Sequence, residues 1–186
     1  LHVGPGPRGI DDVLAIIAEG EIPASQFLPT HMGRNARLVS QAAELTRIGG
    51  RVDFTAGDSC AARVTECIAA GADAGRISIS SDGGGSLPRF AADGSLAGLA
   101  VGTPATLLET CRDLVRNQGI QPVTALSMIT RNPARALGFG SCKGMVAPGM
   151  EADLVAVDQD WQVRYVWARG RQMIADGVPL VLGTFE

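Results

Sequence analysis

Arg76-Ile77-Ser78-Ile79-Ser80-Ser81-Asp82-Gly83-Gly84-Gly85-Ser86 is the stretch whose reading decides the fold. Its first half alternates apolar and polar residues with period two, the mark of a β-strand with two unlike faces. Its second half is a turn, because Asp-Gly and a glycine run break any regular element. Similar strand-then-turn passages lie upstream. Leu1-His2-Val3-Gly4 reads as the end of a strand, Ser25-Gln26-Phe27-Leu28-Pro29-Thr30-His31 as a short apolar run turning polar, and Arg51-Val52-Asp53-Phe54-Thr55 as another strand. The strand ends fall near residues 2, 31, 56 and 82, at intervals of about 25 to 29 residues, the length of one strand–helix unit.

Helical patterns fill the intervals. Ile10, Val13, Leu14 and Ile17 share one face and Gly20 follows as a stop. Asn35 is a candidate N-cap for a helix carrying Leu38, Val39, Ala42, Leu45 and Ile48, which ends at Gly49-Gly50. Ser59 is placed to cap a helix bearing Val64, Cys67 and Ile68. Thr103-Pro104 opens a helix with Leu107, Leu108, Cys111, Leu114 and Val115 on its buried side. A further helix is expected from about Val123 to Leu137, interrupted near Asn132-Pro133. Strands alternating with helices imply a parallel sheet with crossover helices, an α/β fold.

After Gly140 the rhythm changes. Val146, Leu154-Val155-Ala156-Val157, Val163-Arg164-Tyr165-Val166-Trp167 and Val178 to Val181 are short strand-like runs between Gly, Pro and Asp turns. The expected organisation is an α/β domain over residues 1–140 and a small β unit over 141–186.

Composition narrows the function classes. The 186 residues are 46% hydrophobic with a formal net charge of −3, a mild acidity that argues against nucleic acid or anionic lipid as a partner. Twenty-four glycines and 4% aromatic residues suit a turn-rich α/β protein. Cys60, Cys67, Cys111 and Cys142 lack the C-x-x-C spacing of a zinc cluster, so reduced thiols in a cytoplasmic protein are expected. No apolar run is long enough to span a bilayer, and no signal peptide is read. The opening at the end of a strand, without an initiator Met, is expected of a fragment or processed chain.

Functional groups of a parallel α/β sheet gather at the carboxyl ends of its strands. The sequence has two histidines, His2 and His31, and both fall at such ends, as does Asp82. Imidazole with carboxylate is a ligand set for hydrolytic zinc. For a lone histidine the plain reading is a hydrogen-bonded structural residue, and Asp82 also reads as a turn former. Arg34 follows His31 in the same loop and is either a solvated charge or a clamp for a substrate carboxylate. Arg37, Arg47, Arg51 and Arg89 read as surface charge. Gly83-Gly84-Gly85 lacks the spacing of a phosphate loop and reads instead as backbone that admits a close approach beside Asp82.

These residues resemble the isoaspartyl (β-aspartyl) dipeptidases among the metal-dependent amidohydrolases. Leu28-Pro29-Thr30-His31 with Arg34-Asn35 resembles their strand-6 segment. Ser80-Ser81-Asp82-Gly83, continuing to Gly85-Ser86, resembles strand 8, and His2 with Gly4 resembles strand 5. Leu107-Leu108-Glu109-Thr110, Pro148-Gly149 with Ala152-Asp153-Leu154-Val155, and Gly183-Thr184-Phe185-Glu186 extend the likeness over essentially the whole chain. The resemblance implies strands 5 to 8 of a (β/α)8 barrel followed by part of a small β-sandwich. It implies two Zn2+ ions per site. His2 and His31 would ligate one, and Asp82 would ligate the other and shuttle the proton. Arg34 would hold a carboxylate of a small anionic dipeptide and Ser86 would add a polar contact.

A homo-oligomer is expected by the same resemblance. The family's strand-1 His-x-His pair and bridging lysine have no counterpart here, and a whole barrel takes about 250 residues. The chain alone is therefore expected to be inactive. The alternatives are another amidohydrolase activity, dihydroorotase-like or aminoacylase-like, a non-catalytic assembly fragment, and a nucleotide-binding half-sheet using the Gly83 loop.

Overall fold

Strand pairing follows the expected parallel order in the structure, a computed structural model describing residues 1–91 and 93–183, with the side chains of 86–90 and 100 outside the description. By contacts the chain divides into two compact units, Leu1–Asn132 and Pro133–Glu186. The sequence reading sets its domain boundary near Ser141, inside the second unit.

In the first unit the elements are α1 (Asp11–Glu19), α2 (Ala36–Arg47), β1 (Val52–Thr55), α3 (Cys60–Ala69), β2 (Ile77–Ser80), β3 (Ser86–Phe90), β4 (Leu96–Val101), α4 (Ala105–Arg116) and α5 (Pro122–Ser127). β1 and β2 pair in parallel, Val52 opposite Ile77 through Thr55 opposite Ser80. Residues 28–32 continue the sheet on the other side of β1. The Asp53 amide donates to the Pro29 carbonyl at 2.9 Å and the Met32 amide to the Asp53 carbonyl at 3.2 Å. The first residues join next, through a parallel bridge between His2 and Thr30. Four parallel segments thus run side by side, in the order 1–3, 28–32, β1, β2.

The alternation within each strand sorts the side chains. Val52, Phe54, Ile77 and Ile79 lie in the core with Leu38, Ala42 and Leu45 of α2, Val64 and Cys67 of α3 and Leu114 of α4. Asp53, Thr55, Ser78 and Ser80 take the opposite parity and make a polar face. Asn35 caps α2 by accepting from the Leu38 amide at 2.9 Å, as the sequence predicts. Ser59 makes no such bond at α3.

Further features of the chain differ from expectation. The long helix after Gln121 is two short ones, α5 and α6 (Arg131–Ala136), and the break falls at 128–130. Asn132-Pro133 lies inside the first turn of α6, where proline's missing N–H costs nothing. The hairpin β3–β4 was not read; its Asp93-Gly94 turn is a local signal that the Gly83 loop overshadowed. Val146 is no strand but a residue 87% exposed.

The second unit carries an antiparallel sheet of β5 (Leu154–Val157), β6 (Val163–Ala168), β7 (Arg171–Ala175) and β8 (Val178–Pro179), paired in that order. β7 was missed because Arg171-Gln172-Met173-Ile174-Ala175 carries one β-branched residue. Tyr165 and Trp167 stack at 5.8 Å on β6. Lys143 ties the loop before β5 together by donating to Glu151 at 2.7 Å and to Asp153. The resemblance at Gly183-Thr184-Phe185-Glu186 falls, after Gly183, outside the described residues.

All four cysteines are free thiols. Burial pushes Cys60, Cys67 and Cys111 up to about 12, so these sulfurs act as small apolar groups. No helix among the described residues is long and apolar enough to cross a membrane.

Among the described residues Phe54 is the largest fully buried side chain and has no solvent exposure. Phe54→Ala is expected to destabilise the first unit by about 3–5 kcal/mol, the usual loss of transfer and cavity energy for a buried aromatic. Urea unfolding followed by circular dichroism measures it, and a loss under about 1 kcal/mol contradicts the packing described.

Candidate functional site

Parallel pairing delivers the ends of the four segments to one edge of the sheet, and the candidate residues lie there. His2 and His31 come from neighbouring strands. His2 Nδ1 and His31 Nε2 lie 3.1 Å apart, with ring centroids at 5.1 Å and planes tilted by 59°. The other nitrogen of His31, Nδ1, is 2.7 Å from Thr55 Oγ1 at the end of β1. A hydroxyl in that position suits an Nδ1–H tautomer, which turns the lone pair of Nε2 toward His2.

The pair tests the implied metal on geometry alone. Two nitrogens bound to one tetrahedral zinc at about 2.0–2.1 Å stand roughly 3.3 Å apart. The 3.1 Å separation matches that spacing, and Thr55 has the outer-shell role of orienting a ligand imidazole. Two imidazoles make half a ligand set. Among the described residues no group of three or more His, Cys, Asp or Glu side chains is arranged to hold an ion.

Asp82 sits two residues beyond β2, in the turn before β3. Its charge is felt at His31. Burial first, and then the Arg34 guanidinium, hold the His31 imidazole below its ordinary 6.5, while Asp82 pulls in the other direction. His31 has φ 68° and Asp82 φ 50°. Among the described residues of this unit they alone adopt the left-handed region without being glycine. That backbone is costly for a residue with a Cβ and clusters at working sites.

Glycine is required beside Asp82 by close approach. A Cβ on Gly102 would come within 2.4 Å of the Asp82 carbonyl oxygen, and one on Gly85 within 2.8 Å. The Gly85 amide donates to that carbonyl at 2.9 Å, and the Gly102 amide to the Gly85 carbonyl at 3.1 Å. What approaches the glycines is therefore the Asp82 turn itself.

Arg34 is exposed and donates through Nη1 to the Val3 carbonyl at 2.8 Å, next to His2. That bond steadies the guanidinium while its other N–H groups stay available to an anion. Ser86 opens β3 opposite Val101, and its side chain lies outside the described residues.

Several contributors were not singled out from the sequence. Thr55 orients His31. Gln41, 6% exposed, accepts from the Ile10 amide at 3.0 Å and donates to the Arg8 carbonyl at 3.1 Å and Asp11 Oδ1 at 2.6 Å, so α2 pins the loop that follows His2. Arg37, read as surface charge, grips Asp11 through Nη2 at 2.7 and 2.8 Å. Asp53 is buried and accepts from three hydroxyls. The alternation in β1 places Asp53 and Thr55 on the face turned from the core, which is the signal for Thr55; it gives no sign that Asp53 is buried.

The structure is similar to that of a β-aspartyl dipeptidase from Fervidobacterium islandicum AW-1, solved in complex with a β-Asp-Leu dipeptide. The likeness covers 98% of this chain and 48% of that one, with 35% identity and a TM-score of 0.84. In sequence, an N-acetylgalactosamine-6-phosphate deacetylase of Escherichia coli O157:H7 is 34% identical over 80 residues, 43% of this chain and 20% of the relative. An adenine deaminase of Methanothermobacter thermautotrophicus is 39% identical over 84 residues, 42% of this chain and 15% of the relative. The chain thus spans about half the length of the dipeptidase, and its alignments cover smaller shares of the other two. The sequence profile of the amidohydrolase family matches residues 11–173, and the chain belongs to that family.

Proposed function

We propose that this chain forms the strand-5-to-8 part of a zinc-dependent β-aspartyl dipeptidase. The single observation that carries the reading is the likeness to the Fervidobacterium dipeptidase over 98% of this chain at 35% identity. The converging nitrogens of His2 and His31 support it from the side of chemistry.

In this reading His2 Nδ1 and His31 Nε2 would hold one Zn2+ and Asp82 would ligate a second. Ions held there would supply Lewis acidity for a scissile carbonyl and for a water. Asp82 accepts the proton of the attacking water and passes it to the leaving amine. Arg34 holds a carboxylate of the anionic dipeptide and so orients the β-linked amide. Thr55 keeps His31 in the binding tautomer. Gly85 and Gly102 leave room for the Asp82 turn. Ligands absent from this chain complete the pair, and the complete enzyme is a homo-oligomer in the cytoplasm.

The similarity to adenine deaminases and to the sugar-phosphate deacetylase favours a second reading, another amidohydrolase reaction on the same scaffold. Arg34 separates the two. In the complete enzyme, Arg34→Ala is expected to raise KM for β-Asp-Leu about 10- to 100-fold with a smaller change in kcat, since a charge-assisted hydrogen bond contributes about 1.5–3 kcal/mol. Hydrolysis of neutral amides should be little affected. An unchanged KM, or faster turnover of adenine than of β-aspartyl dipeptides, overturns the dipeptidase reading.

The 186-residue chain alone, supplied with zinc, is expected to show no hydrolysis of β-Asp-Leu. Robust turnover by the purified chain contradicts the division of ligands.

In the complete enzyme, Gly102→Ala should lower kcat about tenfold and also lower the melting temperature, because the added Cβ strikes the backbone carbonyl of Asp82 and displaces its turn. Wild-type turnover of that variant rules out the close approach as a requirement.

Metal affinity should also follow pH. The folded-state pKa of His31 lies below its unfolded value, so the folded form favours the neutral ring. Stability from this group is present above about 6.5 and lost as pH falls through the depressed value. Zinc affinity should hold down to pH 6.5 and weaken below it. Isothermal titration at several pH values measures this, and affinity that already collapses above pH 7 contradicts it.

A further inference from the structure

Asp53 is a carboxylate only 6% exposed, on β1, one of the two inner strands of the parallel set. An aliphatic side chain would fill such a position without the cost of burying a charge. The carboxylate instead gathers three hydroxyls. Oδ2 accepts from Thr30 Oγ1 at 2.6 Å on one neighbouring strand and from Ser80 Oγ at 2.7 Å on the other. Oδ1 accepts from Ser78 Oγ at 2.9 Å. Burial raises the Asp53 pKa and the hydroxyl bonds oppose that rise; Thr30 and Ser80 turn toward the carboxylate, while Ser78 Oγ is shared with the Val52 carbonyl at 3.2 Å.

The two residues held by Oδ2 have one thing in common. Thr30 directly precedes His31, and Ser80 stands two residues before Asp82. These are the left-handed residues of the site, with φ 68° and 50°. Strained backbone persists only when its surroundings over-determine it. The Asp53 backbone adds to the grip, bonding to Pro29 and Met32 on either side of the Thr30-His31 pair.

We propose that Asp53 is a positioning residue whose single oxygen, shared by Thr30 and Ser80, fixes the two strained turns that present His31 and Asp82. The proposal builds on the metal-site reading above, and its test includes a readout that needs no metal. With two histidines in the sequence, the imidazole nitrogen spectrum contains two rings, assignable with His2→Ala.

The experiment records the ¹⁵N ring shifts, the Co2+ affinity and the melting temperature of the chain and of four variants. In the wild type His31 should show a fixed Nδ1–H tautomer. Asp53→Leu should give averaged tautomers and Co2+ binding about tenfold weaker, the usual loss when outer-shell support of a ligand is removed. Asp53→Asn, which keeps an accepting oxygen, should restore both. Ser78→Ala, which breaks the bond leading to neither turn, should lower the melting temperature and leave the tautomer and affinity alone.

Asp53→Leu with a lowered melting temperature but a wild-type tautomer and affinity would show Asp53 to be structural and overturn the proposal. Should Asp53→Leu not fold, Thr30→Val decides. It removes one spoke and should release the His31 tautomer, and a tautomer left fixed overturns the idea equally. If the wild-type chain takes up no Co2+, the metal reading loses its support, while the ring spectrum still decides the role of Asp53.

Discussion

Parallel pairing is the constraint from which the rest follows. Because segments 1–3, 28–32, β1 and β2 all run the same way, whatever leaves each strand emerges along one edge. Two imidazoles separated by 29 positions in sequence thereby come within 3.1 Å of each other. An antiparallel arrangement of the same strands would send His2 and His31 to opposite edges. The crossover helices α1, α2 and α3 make the parallel order possible, and the apolar parity of each strand keeps it in register against them.

Much of this was legible in the residues. Period-two alternation in Arg76–Ser80 and helical periods in the intervals fixed the α/β character and the strand spacing. The positions of His2, His31 and Asp82 at strand ends pointed to the edge where chemistry gathers. Tertiary facts were hidden. The positive φ of His31 and Asp82 has only a weak local signal: Asp and His tolerate the left-handed region better than most residues, and Asp82-Gly83 reads as a turn, but neither fixes the conformation. The approach of Gly102 to Asp82 joins residues on either side of an unread hairpin. Asp53 gave no warning of its role because a polar residue at that parity reads as solvent-facing, and its burial depends on the neighbouring strands.

The electrostatics are arranged consistently with a cation at this edge. Burial first, and then the charge of Arg34, lower the pKa of His31 from its ordinary 6.5, which favours the neutral ring that ligates. Thr55 disposes of the proton on the other nitrogen. Arg34 is anchored on the Val3 carbonyl rather than on an acid, so its charge remains available to an anion. Family membership sets the reaction class. The choice among its members comes down to what that guanidinium meets.

The most direct measurement is the anomalous diffraction of a zinc-soaked crystal of the protein. A peak at about 2.0–2.1 Å from both His2 Nδ1 and His31 Nε2 is the predicted result. Density free of any ion at saturating zinc, with the two rings still joined by their hydrogen bond, would contradict the account.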